Sequence, residues 1–274
     1  MSAATALLEG SWQSGSVAVS GGHLAYHRTG GARHPLVLVH GLTDNGLCWS
    51  RTAAALRDYF DIIMLDARGH GESVRMAAGE ADDPARDLAQ AIAALGLEAP
   101  IVMGHSIGAM AVAGLAAAYP ALVSQVILED PPFLPMLDPA AAQQWKQQFQ
   151  QQVAQFQSMT AAEISEKGRK ESPAWHDDEF AAWALSKHQV DPASLPSRLT
   201  PWQEIAADIA APTLLIYGEA ERGGLVSQAT AAEAMRLNPQ IKAVQIEGAG
   251  HNIRRENFAG FLVRLRSFLA LYDD

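Results

Sequence analysis

Short apolar runs alternate along the chain with longer stretches in which apolar residues recur at helical spacing. Six runs read as strands: Leu36 to His40, Ile62 to Asp66, Ile101 to His105, Val126 to Glu129, Thr213 to Tyr217 and Ala243 to Glu247. They are too short for helices, and near-continuous hydrophobicity is what a strand covered on both faces requires. Ahead of them, Val17 to Ser20 and His23 to Arg28 flank Gly21-Gly22 and predict a hairpin. Helical patterns over Trp49 to Asp58, Pro84 to Leu95 and Ile107 to Tyr119 separate the central strands, and a last one follows His251. This alternation predicts an α/β fold, a mostly parallel central sheet of about eight strands flanked by helices. The helix from Ile107 is rich in Ala and Gly, which suits the most tightly enclosed position.

Between about Leu134 and Ser197 the pattern changes: no buried strand stands out and Gln is frequent. An inserted helical cap is expected there, dividing the chain into core residues 1–133, a cap over 134–197 and core residues 198–274. Trp145, Phe149, Val153 and Phe156 follow one another at steps of four, four and three, so they share a helical face. That face either packs on the core or meets an apolar ligand. Phe133, Trp145, Trp175 and Trp183 are the candidate walls of a substrate site.

A net charge of -10 disfavours polyanionic partners, and the adjacent Arg254 and Arg255 are too isolated to form a basic patch. Nucleic acid is therefore not an expected partner. The single cysteine, Cys48, allows no intramolecular disulfide and reads as a small buried hydrophobe beside Trp49. Met1 to Gly10 carries no basic lead or long apolar run, and no segment reaches the roughly 18 apolar residues of a membrane span. A cytoplasmic protein without a membrane partner is expected. The histidines offer no metal site: His23 and His27 would lie about 13 Å apart on a strand, and His176 and His188 lack partners at ligand spacing. No Gly-x-Gly-x-x-Gly follows the first parallel strand, so a dinucleotide is not expected either, and no cofactor is called for.

Gly104-His105-Ser106-Ile107-Gly108 joins a strand to the Ala-rich helix. A turn this sharp strains its central residue, and the flanking glycines remove side chains that would collide, leaving Ser106 presented as a nucleophile. Gly248-Ala249-Gly250-His251 follows the last strand. In a parallel sheet the carboxyl ends of the strands share one edge, so His251 can reach Ser106 as its general base. His40-Gly41-Leu42 ends another strand at that edge; the Leu42 and Ile107 amides are suited to hold an oxyanion, with His40 anchoring the turn.

The succession of His-Gly, Asp66-Ala67-Arg68-Gly69-His70-Gly71-Glu72-Ser73, Gly-x-Ser-x-Gly, cap and late Gly-x-Gly-His resembles the alpha/beta-hydrolase family from about Val17 to Leu271. The Asp66 to Ser73 run, similar to that family's D-x-R-G-x-G-x-S turn, is expected to fix a loop beneath the site. The resemblance implies a third triad member, a carboxylate. Some branches place it after the strand before the cap, here Leu128-Glu129-Asp130, with Asp130 standing 24 residues after Ser106. Many place it after the next strand, here Gly218-Glu219-Ala220-Glu221. Asp130 is taken first and Glu221 as the alternative, with Glu129 or Glu219 behind them. Serine at position 106 argues against the dehalogenase and epoxide-hydrolase branches, which carry Asp there. The resemblance thus implies a serine hydrolase, a carboxylesterase or lactonase, that cleaves a small-molecule ester or lactone through an acyl-enzyme. Carbon–carbon bond hydrolase, thioesterase and perhydrolase activities on the same triad stay open, as do a non-catalytic small-ligand receptor and the oligomeric state.

Overall fold

The computed structural model describes residues 12–76, 83–195 and 200–271. The leader reading of Met1 to Gly10 and the expected end of the cap at residue 197 fall outside them. Eight strands form one sheet in the order β1-β2-β4-β3-β5-β6-β7-β8. They are β1 (Gln13–Val19), β2 (Gly22–Arg28), β3 (Pro35–Val39), β4 (Asp61–Leu65), β5 (Ile101–His105), β6 (Gln125–Glu129), β7 (Thr213–Tyr217) and β8 (Ile241–Gln245). The hairpin β1–β2 is antiparallel and joins β4 antiparallel; every other pairing is parallel. The fold expected from the alternation of elements is the one observed.

Alternation along the strands builds two cores. Val37 and Val39, Ile63 and Leu65, Val102, and Val126 and Leu128 face one side, under α2 (Pro84–Ala94), α3 (Ile107–Ala118), α7 (Trp202–Asp208) and α8 (Gln228–Leu237). Leu36 and Leu38, Ile62 and Met64, Met103 and Ile127 face the other, against Trp49, α1 (Ser50–Leu56) and α10 (Phe258–Phe268). Two-sided burial explains why the central strands read as unbroken apolar runs. Helix α3 packs against the sheet and against α2 and α7, and its small residues permit that approach.

Several boundaries differ from expectation, two of them for a visible reason. Strand β1 starts four residues early because Gln13 to Ser16 is a polar edge segment, paired through its backbone, with Gly15 lying beneath the Tyr26 ring. Strand β8 ends at Gln245, yet Ile246 still donates to Tyr217 O (2.9 Å) and stays buried, which is why its hydrophobicity read as strand.

Between β6 and α7 the described chain forms the irregular segment 130–138 and the helices α4 (Pro139–Gln157), α5 (Ala161–Glu171) and α6 (Asp177–His188). Asp138 caps α4 by accepting from Ala141 N, and Thr160 with Glu163 forms a reciprocal capping box on α5. The face with Phe149, Val153 and Phe156 is buried as its spacing requires, while Trp145 at its N-terminal end is only half-buried.

Helix α6 meets the sheet-bearing part of the chain through buried charge. Asp44 receives Arg255 (3.0 Å), Lys187 (3.1 Å) and Arg254 (3.6 Å); Arg254 also meets Glu129 (3.0 Å), and Arg255 meets Glu179 (3.2 Å). No member is more than 4% exposed. Glu179 and Lys187 come from α6, Asp44 from the loop after β3, Glu129 from the end of β6, and Arg254 and Arg255 from the short helix α9 (Ile253–Glu256), so three carboxylates balance three cations across the junction. Burial works to raise the Asp44 carboxyl, but Arg255, Lys187 and Arg254 outweigh it and hold it far below the carboxylate range.

Candidate active site

The turn after β5 places Ser106 at φ 55°, ψ -124°, a conformation rare for a residue with a side chain. It is held because its surroundings leave no alternative: Ser106 N donates to Glu129 O (2.9 Å), and α3 begins at the next residue. The flanking glycines are obligatory. A Cβ at Gly104 would sit 2.4 Å from Gly108 O, and one at Gly108 would sit 2.3 Å from His40 O.

Ser106 Oγ lies 3.1 Å from His251 Nε2, and His251 Nδ1 lies 2.7 Å from Asp130 Oδ2. Asp130 follows β6, is fully buried, and turns back at φ 43°. Its carboxylate also accepts from Leu225 N (2.8 Å) and Val226 N (3.1 Å), so three donors converge on two oxygens. His251 is held by its loop. Glu256 accepts from Gly250 N and Asn252 N, and His105 Nε2–H donates to His251 O (3.0 Å). His105 is itself buried, and burial with the nearby Arg254 pushes its imidazole well below the usual range, keeping it neutral beside His251.

The other carboxylates weighed for this place are engaged elsewhere or face water. Glu221 is exposed on the short turn Ala220–Arg222. Glu219 accepts from Gly248 N (2.8 Å) and pairs with Arg222, and Glu129, one residue before Asp130, points at Arg254.

The turn after β3 comes up beside the serine. A Cβ on Gly41 would lie 2.8 Å from His105 Nδ1 and 3.2 Å from Ser106 Cβ, so only glycine lets the turn approach. His40 anchors it: Nδ1–H donates to Gly41 O (2.8 Å) and Nε2 accepts from Ala67 N (3.0 Å). Leu42 and Ile107 flank Ser106 on the wall of one cavity. Ile107 opens α3, so its amide is among those with no acceptor inside the helix. The Asp66 to Ser73 loop is structural, with Asp66 accepting from Gly46 N (2.7 Å) and Glu72 N (2.9 Å) and Arg68 paired to Asp87.

The cavity holds about 540 Å³ between the Ser106 turn and the segment from Pro132 to Gln148. Met110, Trp145, Trp202, Leu225 and the segment from Leu134 to Leu137 form its walls, with Gln144, Gln148 and Thr200 as polar points. No charged side chain is among the described residues lining it. Of the four aromatic residues expected as walls, Trp145 alone is one. Phe133 lies behind the wall, stacked on Trp202 at 4.7 Å. Trp175 and Trp183 pack edge to face with one another, Trp175 also beneath Arg255, so they serve the packing of α5 and α6 rather than the cavity. Trp202 escaped the sequence reading because it starts a helix after the cap, where periodicity does not reveal which face meets a cavity.

Cys48 is buried at the start of the α1 region, and burial, with Asp44 close by, pushes its thiol up to about 11. At pH 8 only about one such thiol in a thousand is ionised. A thiol-reactive chromophore should leave the native protein unmodified for hours and titrate one equivalent after denaturation; rapid native labelling would contradict this environment. Among the described residues no cluster of three or more His, Cys, Asp or Glu is placed to hold a metal, and no helix is long and apolar enough to cross a membrane.

With this sheet and site, the chain belongs to the alpha/beta hydrolase family, whose model matches residues 36–261. It is 29% identical to N-formylmaleamate deformylase of Pseudomonas putida over 93% of this chain and 96% of that one. It is 28% identical to pimeloyl-[acyl-carrier protein] methyl ester esterase of Vibrio cholerae over 82% of this chain and 90% of the relative. The crystal structure of E-2-(acetamidomethylene)succinate hydrolase superposes with a TM-score of 0.76 at 25% identity, covering 94% of this chain and 99% of that one.

Proposed function

We propose that this hydrolase is a serine enzyme that cleaves a carboxylic ester or lactone with an uncharged, largely apolar acyl group. The observation that carries the reading is the hydrogen-bonded series Ser106–His251–Asp130 opening into a cavity with no charged side chain among the described residues that line it. Ser106 Oγ attacks the carbonyl carbon as its proton passes to His251 Nε2, and Asp130 steadies the imidazolium through Nδ1–H. The carbonyl oxygen, now negative, is held by the Leu42 and Ile107 amides. His251 then protonates the leaving alcohol, and water attacks the acyl-enzyme by the reverse proton route.

A second reading, cleavage of an N-acyl bond by the same series, is supported by the deformylase and acetamidomethylene relatives. Their names denote anionic substrates, and a carboxylate in this cavity would find no cation among the described lining residues. That weighs toward neutral substrates, because a buried unpaired charge is costly.

The two readings separate on a panel of p-nitrophenyl esters of rising chain length, lactones, and N-formyl and N-acetyl amides of unsaturated dicarboxylates. Ester turnover that rises with acyl length, with a fluorophosphonate adduct mapped to Ser106, is the expected result. Turnover of the amides alone would favour the second reading. A folded protein with neither turnover nor adduct would sink both and leave a ligand receptor on the same scaffold.

A further inference from the structure

The turn that brings Leu42 beside Ser106 has a shape its own sequence disfavours. Asp44 N donates to Gly41 O (3.1 Å), closing Gly41 to Asp44, and Thr43 at the third position has φ 67°. A turn left-handed at that position alone is the type II arrangement, which normally calls for Gly or Asn there. A β-branched residue in this region is strained and persists only where its surroundings over-determine it.

Those surroundings come from the cap. Lys187 Nζ, on α6, donates to Thr43 O (2.8 Å), Thr43 Oγ1 (3.0 Å) and Asp44 Oδ1 (3.1 Å), and Ser186 Oγ shares its one hydrogen between Thr43 O (2.9 Å) and Trp183 O (2.8 Å). Both side chains are buried, and neither lines the cavity. They grip the backbone one residue beyond Leu42 and touch nothing a substrate would touch.

We propose that Lys187, assisted by Ser186, is a positioning residue for the oxyanion site: the cap holds the Gly41 to Asp44 turn in its left-handed form and so presents the Leu42 amide beside Ser106. The inference rests on the hydrolase reading above. The oxyanion site is then complete only with α6 seated, and loss of the grip costs the transition state without disturbing substrate binding.

Lys187→Met, Ser186→Ala and the double variant Lys187→Met/Thr43→Gly test this on a p-nitrophenyl ester turned over by the wild type, with inhibition by an alkyl trifluoromethyl ketone and thermal melting measured alongside. Lys187→Met is expected to lower kcat about 10²-fold, with KM within about twofold and the ketone weakened in parallel, as for loss of one oxyanion donor. Glycine adopts the left-handed form unaided, so the double variant should recover most of that loss. Ser186→Ala leaves every charge paired and should give a several-fold fall in kcat alone, which decides the matter if Lys187→Met does not fold. The inference is overturned by a folded Lys187→Met with kcat near wild type, by a loss confined to KM and melting that Thr43→Gly does not recover, or by an indifferent Ser186→Ala. A wild type that neither turns over ester nor labels at Ser106 takes the hydrolase reading and this inference down together; an active wild type with indifferent variants removes only the positioning role.

Discussion

Ser106→Ala is expected to lower kcat by on the order of 10⁶-fold and Asp130→Asn by about 10⁴-fold, each with little change in KM. The serine variant leaves no nucleophile, and the remaining groups act on the carbonyl only through binding and charge stabilisation. The aspartate variant acts through geometry. His251 Nδ1, Leu225 N and Val226 N all direct donors at the Asp130 carboxylate. Asparagine offers one acceptor oxygen and an NH₂ group, so it either turns a donor against a backbone amide or faces His251 with one. The second choice fixes the imidazole with its proton on Nε2, toward Ser106, where it cannot act as a base. Glu221→Gln, on an exposed turn, should leave kcat within about twofold, surface changes being nearly neutral. Steady-state kinetics on the best ester of the panel check all three. A large loss in Glu221→Gln with little in Asp130→Asn would mean that the working enzyme recruits the other carboxylate.

What could be read from the sequence follows from how local each determinant is. The central strands, the Gly104 to Gly108 turn and the late histidine loop are specified by residues adjacent in the chain. The carboxylate partner is not. Glu129 and Asp130 adjoin, and strand geometry sends neighbouring side chains to opposite faces. Which one meets His251 depends on Asp130 leaving the ladder at φ 43°, a conformation its residue type permits without announcing. Helix α4 shows a second limit: the spacing from Trp145 to Phe156 identifies a buried face, but burial against Val190 and Leu195 and burial around a ligand leave the same pattern. The buried charge network shows a third. Asp44, Glu129, Glu179, Lys187, Arg254 and Arg255 come from four separate stretches, and Arg254-Arg255 reads in sequence as an isolated basic pair, although both are at most 2% exposed. Only the fold brings opposite charges to it.

That network sets the largest expected effect on stability. Asp44→Ala should cost about 3–5 kcal/mol at pH 7, because it leaves Lys187, Arg254 and Arg255 facing only Glu129 and Glu179, with one buried cation uncompensated. For a domain of this size that corresponds to a fall in melting temperature of roughly 10 °C. By contrast, Lys170→Ala removes an exposed pair with Glu166 and should cost less than about 0.5 kcal/mol. The pH dependence has a definite sign. The Asp44 carboxyl is held below its unfolded value of 3.8, so its contribution is complete above that value and declines as acid titrates the folded form. Wild type and Asp44→Ala should therefore differ by a constant amount from pH 8 down to about 5 and converge only in stronger acid. Denaturant unfolding across that range measures the difference. A gap under about 1 kcal/mol at pH 7 would show that water reaches these charges and that α6 is held by its apolar contacts, with Trp175 and Phe180 the residues to truncate next.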